Sequence, residues 1–139
     1  MTKTTESVQP ETNKEILENY GIVASFDTTK PQGKLQVINA KNGAGVSLKD
    51  LATGTSFVIT GALQYKELID NYGSETESVV SAMIGEDGLV YSSVSPTVGD
   101  VVIDLIELLK DETVKTLTIT VIKRESKGGR EFLSLTVTA

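Results

Sequence analysis

The sequence predicts an all-β domain with one helix over residues 20–139, and three observations lead to that prediction. Most of the domain consists of short segments in which apolar and polar residues alternate, the pattern of strands with one buried face. Turn-forming residues, mainly Gly, Asn and Pro, separate these segments. Near residue 100, one longer segment instead carries apolar residues at helical spacing.

Residues 1–19 are polar and form an N-terminal extension to this domain. A short helix is predicted over residues 13–20, because Thr12 or Asn13 can cap its start. Gly21 can end it. The apolar stripe of this helix consists of Ile16, Leu17 and Tyr20. Eight residues are too few for a stable isolated helix, so the stripe needs a partner, either the domain or another copy of the chain. A disordered tail is the alternative.

Strand patterns occur in four segments of the first half of the domain: IVASFDT, KLQVINA, VSLKDLATG and TSFVITGALQY. The first two are interpreted as a hairpin, because Lys30-Pro31-Gln32-Gly33 between them is typical of a turn. Gly61 lies within the fourth segment and indicates a bulge or a sharp bend. The polar, acidic residues 66–77 that follow are predicted to be a loop with a helical turn.

The segments VVSAMI and LVYSSV flank Gly85-Glu86-Asp87-Gly88 and are predicted to pair as a hairpin. The helix follows, with Ser95 as its cap and Pro96 at its first position. Its apolar residues at helical spacing are Val98, Val101, Val102, Leu105, Ile106, Leu108 and Leu109. This helix is predicted to pack against the core.

The chain ends in two alternating segments, VKTLTITVIK and REFLSLTVT, which a basic tip at residues 124–130 joins into a hairpin. One helix before a last hairpin fits an OB-like small antiparallel barrel best. Its functional loops would be Thr29–Gly33 and Arg124–Gly129, and both are basic. The hairpin at residues 79–93 would be an insertion between the third barrel strand and the helix.

Composition excludes much chemistry. The chain has no His and no Cys, so it lacks an imidazole base, a Cys or Ser nucleophile paired with His, and the preferred ligands of zinc. It also has neither a GxxxxGK[ST] nor a GxGxxG phosphate-binding loop. The prediction is a protein that is not an enzyme and needs no metal or cofactor. Without a signal peptide or a transmembrane stretch, we expect an intracellular protein with no membrane association.

The net charge of −6 argues against general nucleic-acid binding, because phosphate contacts usually supply most of the affinity. The charge is, however, segregated along the chain. Residues 51–113 carry two basic and eleven acidic residues, whereas residues 22–50 carry four basic and two acidic ones and residues 114–139 carry five and two. If the two basic segments lie together, they form a basic face on an acidic body. Solubility alone is the alternative.

Three tyrosines, Tyr65, Tyr72 and Tyr91, lie beside turn or polar residues in a chain with no Trp. A flat ring with a polar tip near a surface suits stacking on a nucleobase. The alternative is that these rings pack within the sheet with hydrated hydroxyls.

Four colinear segments together carry a resemblance: ASFDTTKPQGKLQVINAKNGAGVSLKDLATGT, GALQYKELIDNYGSE, IGEDGLVYSSVSPTV and SKGGREFLSLTV. They resemble the single-stranded DNA-binding proteins of small protein-primed Bacillus podoviruses. The resemblance runs from about Asn19 to the C-terminus. It implies an OB-like domain that coats displaced strands during viral genome replication, protects them from nucleases and helps unwinding. It also implies a functional link to the viral DNA polymerase and a location in the host cytoplasm. It also implies that Tyr65, Tyr72 and Tyr91 contact single-stranded DNA.

The predicted mechanism is base stacking, which tolerates any sequence, combined with neutralisation of phosphates. The predicted phosphate ligands are Lys30, Lys34, Lys41, Lys66, Lys123, Arg124, Lys127 and Arg130. The rival hypothesis from composition and fold is a structural or protein-interaction β-barrel of the phage.

The shorter members of the family that the chain resembles begin near Asn19 and have nothing comparable to residues 1–18. We therefore predict that the helix at residues 13–20 assembles several copies into a homo-oligomer. Linked binding domains raise the effective concentration of each site without any new DNA contact.

Overall fold

A computed structural model of the protein describes residues 12–42 and 45–139. In this part of the chain, three α-helices accompany one curled sheet of seven strands. The helices are α1 (Asn13–Tyr20), α2 (Pro31–Lys41) and α3 (Pro96–Leu109). The strands are β1 (Ile22–Ala24), β2 (Gly45–Ser47), β3 (Ser56–Asn71), β4 (Ser74–Gly85), β5 (Val90–Ser93), β6 (Leu117–Glu125) and β7 (Glu131–Thr138). None of the described helices is long and apolar enough to span a membrane.

The long strand β3 organises the sheet, whose order is β2-β5-β4-β3-β6-β7, with β1 paired to β3. It pairs antiparallel with β4 along most of its length, with β6 near its start and with β1 near its middle. Strands β2 and β5 run parallel. The sheet curls into half of a barrel. The prediction of a mostly β protein is therefore confirmed, whereas the finer OB-like assignment stays a prediction.

The segment KLQVINA is helical, and the prediction of a hairpin strand there was wrong. It belongs to α2, and the turn predicted at residues 30–33 is the start of this helix, with Pro31 at its N-terminus. Val37 and Ala40 pack against the sheet, so tertiary contact outweighs the strand preference of β-branched residues. The domain therefore contains more than the one helix that the sequence predicted.

Residues 66–77 are not a loop with a helical turn. They are the far ends of β3 and β4, which form an arm here called the β3–β4 arm (residues 66–79). Tyr72 and Gly73 close the arm, with φ values of 56° and 84°. Positive φ at both central positions is typical of a type I′ turn, whose twist matches that of antiparallel strands. Most of the described side chains of the arm are exposed, and its sequence shows no alternation of apolar and polar residues.

Other elements lie where the sequence predicted them. The hairpin within residues 79–93 is β4–β5, and β4 also pairs with β3 in the same sheet. That this hairpin is an insertion into an OB-like barrel stays a prediction. Helix α3 follows Ser95, whose Oγ accepts a hydrogen bond from the Val98 N–H at 3.5 Å. Strands β6 and β7 form the final hairpin, and residues 124–130 lie at its tip.

Two apolar clusters lie on opposite faces of the sheet. Helices α1 and α3 pack on one face, where Ile59, Met83, Ile106 and Ile119 form part of a buried cluster. Helix α2 packs on the other face, over a smaller cluster that includes Leu63. Because successive side chains of a strand point to opposite faces, strands β1, β3, β4 and β5 contribute to both clusters, whereas β2, β6 and β7 contribute to the cluster under α1 and α3.

Helix α1 begins after Thr12 and ends at Gly21, as predicted. Of its apolar stripe, Leu17 is buried and Ile16 is half-buried against the core, whereas Tyr20 is 68% exposed. Asn13 donates a hydrogen bond to a main-chain carbonyl of α3 and accepts one from the lysine that follows α3, both at 3.0 Å. Most of the stripe thus finds its partner within the same domain.

Candidate nucleic-acid interface

Tyr72 stands at the tip of the β3–β4 arm, where its side chain is fully exposed, at 102% of the reference area. Its φ of 56° lies in the left-handed region, which costs a residue with a Cβ roughly 1–2 kcal/mol. Glycine or asparagine would fit this turn at a lower cost. A ring with both faces open to solvent can stack on an unpaired base.

Tyr65 lies at the middle of β3 and is buried, at 5% exposure, in the cluster under α2. The Lys41 ammonium of α2 lies 5.4 Å from the centre of its ring, within the range of a cation–π contact. Burial raises the pKa of the Tyr65 hydroxyl, and the nearby Glu67 carboxylate adds to that shift. In this conformation the ring offers no free face to a base.

Tyr91 lies in β5 and is buried on the opposite face of the sheet, in the cluster under α3. Its ring stacks on Phe57, with centroids 3.9 Å apart and planes 8° from parallel. Its hydroxyl donates a hydrogen bond to Asp87 at 2.7 Å, and this bond raises the pKa of Tyr91. The three tyrosines therefore do not share one face, and only the Tyr72 ring is open to DNA as the structure stands.

Replacing Asp87 with alanine should lower the pKa of Tyr91 toward its ordinary value, because the carboxylate accepts from the neutral phenol and repels the phenolate. Because the pKa of Tyr91 is raised in the folded protein, this contact stabilises the fold at pH values below the ordinary pKa of tyrosine. That stabilisation is lost as the pH rises through the pKa of Tyr91 in the folded protein. Ultraviolet titration of tyrosinate measures the shift, with Tyr91→Phe to assign the component. If Asp87→Ala leaves that component in place, the contact does not set the pKa.

Helix α2 carries two of the predicted phosphate ligands on one face, Lys34 and Lys41, and a third, Lys30, directly precedes it. The helix contains no acidic residue. Gly33 lies against the main-chain carbonyl of Asp27, where a Cβ would collide with it. This close contact seats the start of α2, and its lysines, against the segment that leads from β1.

The tip of the β6–β7 hairpin forms a second basic cluster, in which Arg124, Lys127 and Arg130 are exposed. The Ser126 N–H donates to the Arg130 carbonyl at 2.9 Å, which closes the turn. Phe132 lies directly opposite Arg124 in the register and is 36% exposed. A guanidinium beside an aromatic ring is a common element of single-strand binding surfaces.

The remaining predicted ligands, Lys66 and Lys123, already have partners. The Lys66 ammonium lies 3.0 Å from the Glu18 carboxylate and 3.4 Å from that of Glu77, and these contacts raise its pKa. The Lys123 ammonium donates to the Lys49 main-chain carbonyl at 3.1 Å. The two basic segments of the sequence thus meet at Lys49 and Lys123, while Lys66 ties α1 to the β3–β4 arm.

Sequence reasoning missed three exposed apolar residues beside these cations: Leu35, Ile38 and Phe132. A signal for Ile38 was present in the sequence. Lys34, Val37, Ile38 and Lys41 follow the i, i+3, i+4, i+7 spacing of one helix face. The strand interpretation of KLQVINA concealed it.

The comparisons with known proteins concern the family of the chain. A family model described as phage single-stranded DNA-binding protein matches residues 16–138. Three relatives carry the name single-stranded DNA-binding protein. The one from Bacillus phage B103 is 39% identical over 114 residues, which are 82% of this chain and 93% of the relative.

The relatives from Bacillus phages PZA and phi29 are 38% and 37% identical over 120 residues, which are 86% of this chain and 97% of each relative. No solved structure matches the chain.

Proposed function

Because the chain belongs to the phage single-stranded DNA-binding protein family, which is a family of binding proteins and not of enzymes, we propose that it coats the strands displaced during viral protein-primed DNA replication. In this role it protects the strands from nucleases, keeps the viral DNA polymerase from binding them unproductively, and assists unwinding and elongation. The site of action is the cytoplasm of the host cell.

The observation that carries this proposal is the exposed Tyr72 ring held in a left-handed conformation. A residue that strains its own turn and buries nothing adds nothing to stability, which points to a functional role. Stacking suits that role, because every base has a π-face and duplex DNA hides its base faces. Stacking therefore selects single strands of any sequence.

Phosphate contact is proposed for two surfaces, the lysines of α2 and the tip of the β6–β7 hairpin. Both surfaces expose cations, and the hairpin tip adds the partly exposed ring of Phe132. The ion pairs of Lys66 favour a structural role for that lysine over phosphate binding. Direct base contact by Tyr65 and Tyr91 stays a prediction, and it requires α2 or Phe57 to move aside.

Titration with poly(dT), followed by tyrosine emission, tests the function. The chain has four tyrosines and no tryptophan, so stacking on bases should quench its intrinsic fluorescence. Quenching that saturates with single-stranded but not double-stranded DNA is expected. A signal that does not change with poly(dT) would instead favour a structural or protein-interaction role.

The salt dependence of the same titration should be shallow. One protomer engages few phosphates and its acidic body repels the strand, so we expect the release of about two to four counterions, at about 0.7 for each phosphate contacted on a single strand. The measurement is the slope of the logarithm of affinity against the logarithm of salt concentration. A slope near zero would remove phosphate contact from the mechanism.

The proposal that residues 13–20 assemble copies of the chain now depends on a single side chain of the apolar stripe. Tyr20 is the one member of the Ile16, Leu17 and Tyr20 stripe that remains exposed. A contact between copies at this point would leave α1 in place on its own domain.

A further inference from the structure

A shallow recess of about 420 Å³ lies between α2 and the segment that begins with β1, from which Ile22 and Thr28 line it. It falls in the lower part of the size range of small-molecule sites. It combines apolar residues with two ammonium groups, and its lining residues are Ile22, Thr28, Lys34, Val37, Ile38 and Lys41. Apolar surface next to cations is what an unstacked nucleotide requires, since its base is flat and its phosphate is anionic.

Two other recesses in the described part of the chain have a different character. One, of about 370 Å³, lies beside β2 and β5 and is lined by four serines, three apolar residues and Lys49. The other, of about 380 Å³, includes Lys14 but also the carboxylates of Glu77 and Asp100. Carboxylates repel a phosphate. Of these three recesses in the described residues, the one beside α2 alone combines two cations with no carboxylate in its lining.

The position of Lys41 is restricted by Tyr65. The ammonium lies 5.4 Å from the centre of the buried Tyr65 ring, and this contact limits a side chain that would otherwise sample many rotamers. A cation that is already placed loses less entropy when it binds a phosphate. Tyr65 can therefore contribute to DNA binding while its own ring stays buried.

Resting on the proposed DNA binding, we infer that the recess beside α2 is a nucleotide subsite of the single-strand path. A base packs on the apolar side of the recess against Val37 and Ile38, and Lys34 and Lys41 bind the phosphates that flank it. Tyr65 acts as a positioning residue for Lys41.

A matched pair of substitutions on the same helix tests the apolar half of this subsite. Ile38 and Leu35 are 54% and 57% exposed, but only Ile38 lines the recess. Ile38→Ser should weaken binding of fluorescein-labelled oligo(dT) by about fivefold or more and leave the salt slope unchanged, because no charge is lost. Leu35→Ser should bind as the wild type does.

The cationic half is tested with the double variant Lys34→Gln/Lys41→Gln. Its control is the double variant Lys14→Gln/Lys115→Gln, which removes the same charge from other surface positions. The first pair should weaken binding about tenfold and make the salt slope shallower by about 1.4, at about 0.7 for each of two phosphate contacts. The control pair should have a much smaller effect. Circular dichroism checks that every variant is folded.

The results separate the subsite from the function. If the wild type binds oligo(dT) while Ile38→Ser binds equally well, or if Ile38→Ser and Leu35→Ser lose affinity to the same extent, the recess is not a nucleotide subsite and the proposed function stands. If the wild type itself does not bind oligo(dT), it is the proposed function that fails.

Discussion

Replacing Tyr72 with asparagine should weaken binding to single-stranded DNA and, at the same time, make the fold slightly more stable. Base stacking on one aromatic ring is worth about 1–3 kcal/mol, so the dissociation constant should rise about 5- to 150-fold. The substitution places an Asn-Gly pair in the type I′ turn, which is a sequence that this turn prefers. Relief of the left-handed strain should add roughly 0.5–1 kcal/mol to the free energy of unfolding.

Poly(dT) titration measures the first effect and urea denaturation the second. Tyr72→Phe is the control, because it keeps the ring and should retain most of the affinity. If Tyr72→Asn binds as tightly as the wild type, the proposal that the Tyr72 ring stacks on a base is wrong. Equal losses in Tyr72→Asn and Tyr72→Phe would assign the contact to the hydroxyl and not to the ring.

Leu17→Ala should lower the free energy of unfolding by about 2–3 kcal/mol, as expected when a buried leucine is truncated and leaves a cavity. Leu17 is 8% exposed and belongs to the main apolar cluster. Helix α1 is too short to be stable without this packing. Loss of the packing should therefore also break the hydrogen bonds that Asn13 makes with Ile103 in α3 and with Lys110, which follows α3. Urea denaturation followed by circular dichroism gives the value.

Tyr20→Ser is the matched substitution on the same stripe. Tyr20 is 68% exposed, so its replacement should leave stability nearly unchanged. If the stripe joins copies of the chain, sedimentation should show a smaller mass for Tyr20→Ser than for the wild type. Identical masses over a wide concentration range would exclude assembly through this residue. For the other substitution, a Leu17→Ala protein as stable as the wild type would mean that α1 does not depend on the packing of Leu17.

Local signals in the sequence were sufficient where an element carries its own boundary residues. Helix α1 has a capping residue, Thr12, and a terminating glycine, Gly21, and it begins and ends where these predict. Helix α3 has Ser95, Pro96 and a continuous apolar face. Such signals act within a few residues, so they can be read without knowledge of the fold.

Those signals failed where distant contacts decide the structure. Helix α2 contains a β-branched segment that reads as a strand, and it becomes a helix because Val37 and Ala40 pack on the far face of the sheet. The β3–β4 arm has no apolar period, and its strands are specified by pairing with each other and by the turn at Tyr72. Neither determinant is visible in a local window of sequence.

The sequence by itself determined that this is a mostly β protein with neither His nor Cys, and its colinear segments indicated the family. It also identified the tyrosines and cations of the candidate site. Only the tertiary structure decided which of them are available: Tyr72 is exposed, Tyr65 and Tyr91 are buried on opposite faces, and Lys66 is paired with carboxylates. The reason is physical. Residue type sets what a side chain can bind, but strand register and helix packing set the face on which it lies and the partners that it meets.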